Sequence, residues 1–300
     1  MVLEKITFAE NSKLEVIGKN AFAFCSSSLY TEKGGIKYVK ANDNPYYILQ
    51  ELTNNTLSSY TIENNTVHIT SFAFSGCSSL TSIDIPASVK SIGKAAFYQC
   101  QSMKAVKFGA NSNLEFIADN AFYNCSVLEE IQLPDGLKTI CDRAFKSCRK
   151  LSQIEIPSSV IKIGSNAFEG SKLETITFKK DSKLETIGDY AFANCPLINI
   201  EIPASVKSVG KEAFSYCTNL LSVTFEENSL LEIVREKAFC GCSNLKEIVI
   251  PASVIRMEIY VFSSCEKLTK IYCRAEVKPQ TWHNNWNAGC SADVQWGYSN

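Results

Sequence analysis

Thirteen cysteines and two histidines are the residues of this 300-residue chain whose types suit nucleophilic or metal chemistry. A Cys/His nucleophile pair needs a base within hydrogen-bond reach of the thiol. His68 and His283 lie far apart in sequence, one beside an irregular segment and one near the C-terminus, so neither marks such a pair. Cys240 and Cys242 are separated by one residue, but no second paired ligand set with zinc spacing accompanies them. There is no glycine-rich phosphate loop. The residues predict no enzyme, no metal site and no cofactor, and the cysteines need a different explanation.

That explanation is positional. Eight cysteines close the phrase Ala-Phe-x-x-Cys, at Phe22/Cys25, Phe74/Cys77, Phe97/Cys100, Phe122/Cys125, Phe145/Cys148, Phe192/Cys195, Phe214/Cys217 and Phe239/Cys242. A ninth copy has Val261 before Phe262 and Cys265, and a tenth has Phe168 with no cysteine. From Phe74 onward the copies recur every 22–25 residues, the period of a leucine-rich repeat and too short for tetratricopeptide or ankyrin units. One cysteine per coil beside a phenylalanine is a packing position for a small buried hydrophobe. Stacked coils bring neighbouring cysteines to roughly 5 Å, yet parallel side chains keep their Cβ atoms too far apart to bond without distortion. Reduced, inert thiols are expected along the array, with Cys273 and Cys290 as a candidate cross-link near the C-terminus.

The elements that must position these residues are legible in one coil. In Leu80 to Cys100, Ile83 and Ile85 alternate with Ser82 and Asp84, the pattern of a strand with one face buried. Pro86, Pro134, Pro157, Pro203 and Pro251 follow this strand phrase, where a missing N–H ends the ladder. Val89 and Ile92 mark a second short extended segment, and the Ala-Phe-x-x-Cys phrase suits one helical or 3-10 turn. Gly18, Gly93, Gly164, Gly188 and Gly210 share a slot with Thr70, Ala118, Cys141, Arg235 and Glu258, so that slot does not require a positive φ. Coils with Ile-Pro-x-Ser-Val alternate with coils carrying a longer Phe-x-x-Asn/Asp-Ser-x-Leu-Glu connection, at Phe8 to Leu14, Phe108 to Leu114, Phe178 to Leu184 and Phe225 to Leu231.

The reading is an α/β solenoid over residues 1–273, with an irregular segment at about 26–66 and a C-terminal cap at 274–300. Residues 36–60 read as a strand, turn and strand, a protruding hairpin. The cap contains all three tryptophans, Trp282, Trp286 and Trp296, which suit a cover for the exposed last coil. A formal net charge of -1 gives no footprint for nucleic acid. No apolar run of about 18 residues predicts insertion into a membrane. The N-terminal Met-Val-Leu-Glu-Lys-Ile-Thr-Phe lacks a signal peptide and already matches a strand phrase, so the chain is expected to be trimmed, its native leader and first coils removed.

The outward strand positions are the candidate protein-binding residues. Every Ile-Pro or Leu-Pro coil supplies one carboxylate there: Asp84, Glu130, Glu155, Glu201 and Glu247. Lys107, Gln132 and Tyr272 occupy the same columns. A merely solvated sheet face accounts for polar residues at these positions. The sharper reading is a mildly acidic strip that selects a basic or polar protein segment, with the carboxylates steering encounter.

The consensus Ile-Pro-x-Ser-Val-x-x-Ile-Gly-x-x-Ala-Phe-x-x-Cys-x-x-Leu-x-x-Ile resembles the BspA-like family of leucine-rich repeats over about residues 1–273. Asn44-Pro45-Tyr46-Tyr47 is similar to a variant unit of that family, and the aromatic tail resembles its bacterial C-terminal ends. The resemblance implies a right-handed leucine-rich-repeat superhelix with its parallel sheet on the concave face and short extended or helical turns opposite. It also implies a bacterial or parasite protein, secreted or on the cell surface, with adhesion to host or extracellular-matrix proteins in some members. The family's motif residues are structural, so no binding residue carries over. The expectation is a non-catalytic adhesion or recognition module, monomeric, with a protein ligand and no nucleic acid. An intracellular leucine-rich-repeat scaffold is the alternative.

Overall fold

The computed structural model describes residues 3–9, 12, 14 and 16–299. Met1, Val2 and several residues of the Phe8 to Leu14 phrase lie outside the described residues. The chain divides into two compact units, Met1–Leu151 and Ser152–Asn300. Each is a β-solenoid whose coils contribute one longer strand and one two-residue strand, and helix is almost absent. In the first unit the longer strands Ser82–Ile85, Ala105–Phe108 and Glu130–Ile131 pair parallel. Its short strands His68–Ile69, Ser91–Ile92, Phe116–Ile117 and Thr139–Ile140 form a second parallel ladder. In the second unit the same two ladders run from Gln153–Ile156 and from Lys162–Ile163.

Alternation sets what is buried. Ile83 and Ile85 are buried while Ser82 and Asp84 are exposed, and Ile154 and Ile156 repeat this beside Gln153 and Glu155. Behind the strands lies a column of phenylalanine rings. In the first unit Phe74, Phe97, Phe122 and Phe145 stack with centroids 4.8, 5.1 and 5.2 Å apart. In the second, Phe168, Phe192, Phe214, Phe239 and Phe262 stack at 5.3, 5.4, 5.2 and 5.8 Å. Offset stacking at these separations is favourable beyond the area it buries. Tyr60 closes the first column edge-on at 5.7 Å and Trp286 closes the second edge-on at 6.1 Å. Phe22, the first copy of the repeat phrase, is off the stack: it packs with Ile17, Val39 and Ile48.

The Ala-Phe-x-x-Cys phrase forms tight turns, not the helical turn its sequence suggests. Ala95 and Gln99 have φ of 53° and 57°, and the same two slots are left-handed at Asn120 and Asn124, Tyr190 and Asn194, and Lys237 and Gly241. Backbone accounting explains the choice. The N–H groups of Ala96, Tyr98 and Cys100 close turns onto the carbonyls of Gly93, Ala95 and Phe97 at 3.1, 3.1 and 3.3 Å. The alternate N–H groups of Ala95, Phe97 and Gln99 donate to Asp119, Ala121 and Tyr123 of the next coil, each at 2.8 Å. A helix would direct every N–H along its own axis and leave none for the neighbour. The left-handed residues turn alternate amides outward. Side chains such as Tyr190 and Lys237 stand there despite a usual cost of roughly 1–2 kcal/mol per residue. The glycine slot is different. Gly188 and Gly210 are needed for close approach, since a Cβ on Gly210 would lie 2.5 Å from the carbonyl carbon of Gly188.

The stacked repeat cysteines also reach the coil before them. In the first unit the Sγ atoms of Cys100, Cys125 and Cys148 donate to the Phe74, Phe97 and Phe122 carbonyls at 3.1, 3.1 and 3.3 Å. In the second, Cys195, Cys217, Cys242 and Cys265 do the same to Phe168, Phe192, Phe214 and Phe239 at 3.1–3.2 Å. The bond needs the protonated thiol. Burial pushes Cys195 up to about 12 and raises Cys148 and Cys217 well above the ordinary thiol range. No disulfide joins any of the thirteen cysteines, Cys273 and Cys290 included.

The longer strands do not pair uniformly. A Pro-type coil matches the Phe-type coil after it over four residues, as Ser82–Ile85 does with Ala105–Phe108 and Asn199–Ile202 with Ser222–Phe225. The match from a Phe-type coil to the next Pro-type coil is shorter. Ala105 and Val106 pair with Glu130 and Ile131, and Thr175 alone pairs with Asn199. Proline following the second strand has no N–H for the preceding coil's carbonyl. Coils are thus coupled in pairs, and the strands part between pairs.

The irregular N-terminal segment joins the first unit's short-strand ladder and does not stand away from it. Ile36–Ala41 and Asn44–Leu52 pair antiparallel across Asn42 and Asp43, and Asn44–Leu52 then pairs parallel with His68–Ile69. His68 is buried there beside the Phe8 and Tyr47 rings, its Nδ1 at 2.8 Å from Ser91 Oγ. In the second unit, residues from 274 onward cover the last stacked ring. Trp282 donates Nε1–H to the Val254 carbonyl at 3.0 Å and packs against Trp286 and Trp296, while Asp293–Gln295 pairs parallel with Lys270–Cys273.

Three outcomes follow for stability and reactivity. Phe122→Ala opens a cavity between two rings and is expected to cost about 3–5 kcal/mol, read by urea denaturation. Native-state alkylation followed by mass spectrometry should label the half-buried Cys25, Cys141 and Cys290 first, and the stacked repeat cysteines only after unfolding. Burial, reinforced by Lys90, lowers His68 from 6.5 to about 4. The fold therefore holds it neutral while the unfolded chain takes a proton, so stability is lost as pH falls from about 6.5 towards about 4. Wild type should lose about 2–3 kcal/mol more than His68→Asn between pH 7 and about 4.5 in denaturation curves. Equal losses would remove His68 as the cause.

Candidate functional site

The side chains best suited to chemistry are committed to packing. His68 is enclosed by aromatic rings, and the repeat thiols are occupied by carbonyls of the preceding coil. His283 is exposed on a turn, where its Nδ1 accepts from the Asn285 N–H at 3.0 Å. Among the described residues no group of three or more His, Cys, Asp or Glu side chains could hold a metal ion. No helix among them is long and apolar enough to cross a membrane.

What remains presented to solvent is the outward face of the longer strands. In the first unit this face carries Asp84, Lys107, Glu130 and Gln132, all exposed. Asp84 stands in register with Lys107, and Ala105 with Glu130, so the two carboxylates occupy different columns. In the second unit the face carries exposed Glu155, Glu201 and Glu247 and half-buried Tyr272. Glu155 registers with Thr177, Glu201 with Thr224 and Glu247 with Lys270. The eight positions thus divide evenly between the two units.

Most of these carboxylates are uncommitted. Among the described residues Asp84, Glu130, Glu201 and Glu247 have no ion-pair partner within 4 Å, whereas Glu155 approaches Lys179 Nζ at 3.8 Å. Lys270, beside Glu247 in register, is held by Asp293 at 2.7 Å. That pair raises Lys270 and lowers Asp293 through the hydrogen bond and the opposite charge. Tyr272 leans on Tyr298, ring centroids 4.4 Å apart.

A groove of about 420 Å³ opens in the second unit beside this face, where the strand ladder is interrupted between Ser222–Phe225 and Glu247–Ile250. Phe225, Val249 and Pro251 line its apolar side, and Asn228, Ser253 and Arg274 its polar side. Sequence reasoning placed no site here. The available signal was Arg274, which stands just after the strand where the corresponding coil carries Glu226.

Comparison with known proteins agrees with this architecture. The chain matches the BspA type leucine rich repeat region, in six copies, over residues 2–113, 49–174 and 185–284. Its fold is similar to that of a leucine rich repeat protein of T. pallidum, 23% identical, with a TM-score of 0.50 over 79% of this chain and 90% of that one. A leucine-rich repeat protein of Eubacterium ventriosum is 22% identical, with a TM-score of 0.50 over 88% of this chain and 77% of that one. A leucine rich cell surface protein of Faecalibacterium prausnitzii is 23% identical, with a TM-score of 0.39 over 91% of this chain and 96% of that one. No curated protein matches the chain. With repeat matches over most of its length, the chain belongs to the BspA-type leucine-rich repeat family.

Proposed function

We propose that this chain is a non-catalytic protein-recognition module that engages host or extracellular-matrix proteins from a bacterial cell surface or as a secreted protein. The observation that carries the reading is the contrast between its two faces. His68 and the stacked repeat thiols are buried and hydrogen-bonded, while Asp84, Glu130, Glu201 and Glu247 stand exposed on in-register strands with no ion partner among the described residues. Aromatic anchors are few on that face, so binding is weak per coil and summed over several, with charge setting the encounter rate. In this reading the solenoid is a right-handed superhelix with its longer strands on the concave side, residues 274–300 act as the cap, and the protein works as a monomer. The half-buried Tyr272 and the polar Lys107 and Gln132 complete the contact positions.

An intracellular scaffold for protein partners is the second reading, and a cysteine in almost every coil without a disulfide favours it. The triple variant Glu130→Lys, Glu155→Lys, Glu201→Lys separates a used face from an idle one. Against immobilised extracellular-matrix proteins at low salt, the association rate should fall by about tenfold while circular dichroism and thermal midpoint hold. Unchanged binding by a folded variant would remove the outward face as the site.

A further inference from the structure

In the groove of the second unit, Arg274 occupies the place that Glu226 takes one coil pair earlier. At the preceding junction between coil pairs the corresponding gap is closed from within. Glu226 follows its strand there, and its Oε2 accepts from the N–H of Ala204, the residue after Pro203, at 2.9 Å. Ser205 donates its hydroxyl to the Leu184 carbonyl at 2.8 Å. At the last junction Ala252 follows Pro251, Ser253 takes the place of Ser205, and Arg274 takes the place of Glu226: the N–H groups of Arg274 and Glu226 donate to Ile250 and Ile202 at 3.0 Å each.

Arginine cannot accept a hydrogen bond. The N–H of the exposed Ala252 therefore has no partner among the described residues, and neither has the buried Ser253 Oγ. Arg274 and Asn228, which line the same groove, also have no side-chain partner among the described residues. Four donors thus face a groove of about 420 Å³, enough for a short peptide stretch, with Phe225, Val249 and Pro251 as its apolar wall. Glu226 lines the groove too but is held by Ala204, and Glu227 is its free acceptor, shared with the adjoining hollow beside Tyr298.

We propose that this groove binds the acidic side chain of an extended peptide segment, the ligand carboxylate taking the place that Glu226 fills one coil pair earlier. Arg274 and the Ala252 N–H hold the carboxylate, and Ser253 and Asn228 donate to its remaining lone pairs or to the segment's carbonyls. Glu227 accepts a backbone N–H of the segment. The wall of Phe225, Val249 and Pro251 takes the apolar residues that flank the acid. This assignment does not rest on the outward strand face, and the two tests share no residue.

The probes are acetyl-Val-Glu-Val-amide and its Gln and Lys counterparts, titrated calorimetrically into the full chain. The Glu peptide should bind at least about tenfold more tightly than either counterpart, and it should shift the Ala252 amide in a two-dimensional NMR spectrum. Arg274→Gln should abolish the preference without moving the thermal midpoint. Arg274→Glu should also abolish binding while raising or holding the midpoint, because the new carboxylate can accept from Ala252 internally. Equal binding of the Glu and Gln peptides, tighter binding of the Lys peptide, no binding by any of them, or an Arg274→Gln protein that still prefers Glu would overturn the proposal. So would tighter binding of acetyl-Val-Val-Val with a free C-terminal carboxylate, which would move the source from side chain to chain end.

Discussion

Everything in each unit depends on a coil being unable to satisfy itself. Half of the backbone amides in the Ala-Phe-x-x-Cys turn donate to the following coil, the cysteine thiol donates to the preceding one, and inner rings such as Phe97 and Phe122 lie between two others. A lone coil would expose these donors and both faces of its ring. The stability of one coil is therefore a property of its neighbours, as expected for a quasi-one-dimensional array. The ends need special residues for the same reason. Tyr60 and Trp286 meet the last rings edge-on, where a further flat ring would only pass the exposed face along.

Coil chemistry then sets a second, longer rhythm. Proline after the strand removes the one amide that would have continued the ladder to the coil before it. Strands close fully within a Pro-type and Phe-type pair and loosen between pairs, from two matched residues at Ala105 and Val106 to one at Thr175. At Pro251 the longer-strand sheet is interrupted altogether. A residue that ends a strand for local reasons thereby decides where the surface has room for something else. Glu226 fills one such place, and Arg274 leaves the next open.

The repeat, the strand faces and the buried thiols were legible because each is written in spacing. Ile83 and Ile85 alternate with polar residues, and a cysteine stands three residues after the phenylalanine, as Cys100 after Phe97, in every copy but that of Phe168. The turn conformation was not legible. Asn120 and Asn124 announce left-handed backbone, but Arg143 and Ser147 occupy the same two slots without any such preference, so tertiary hydrogen bonding overrides the local code. The N-terminal hairpin was readable as strand, turn and strand, yet its place in the ladder depends on Asn44–Leu52 meeting His68–Ile69, which no local pattern encodes. Among the candidate contact residues, the sequence identified the exposed columns. It could not show that Lys270 is drawn away from Glu247 by Asp293, since that pairing is made by the residues after the last repeat.

In-register rungs also impose a pitch on any visitor. Side chains in one outward column recur at the strand spacing of about 4.8 Å, whereas an extended peptide shows residues on one side every ~6.8 Å. Laid across the rungs, the two scales coincide only about every third coil, like the marks of a vernier. A partner in that orientation finds a few strong contacts separated by idle ones, and specificity resides in which coils carry the coincident residues.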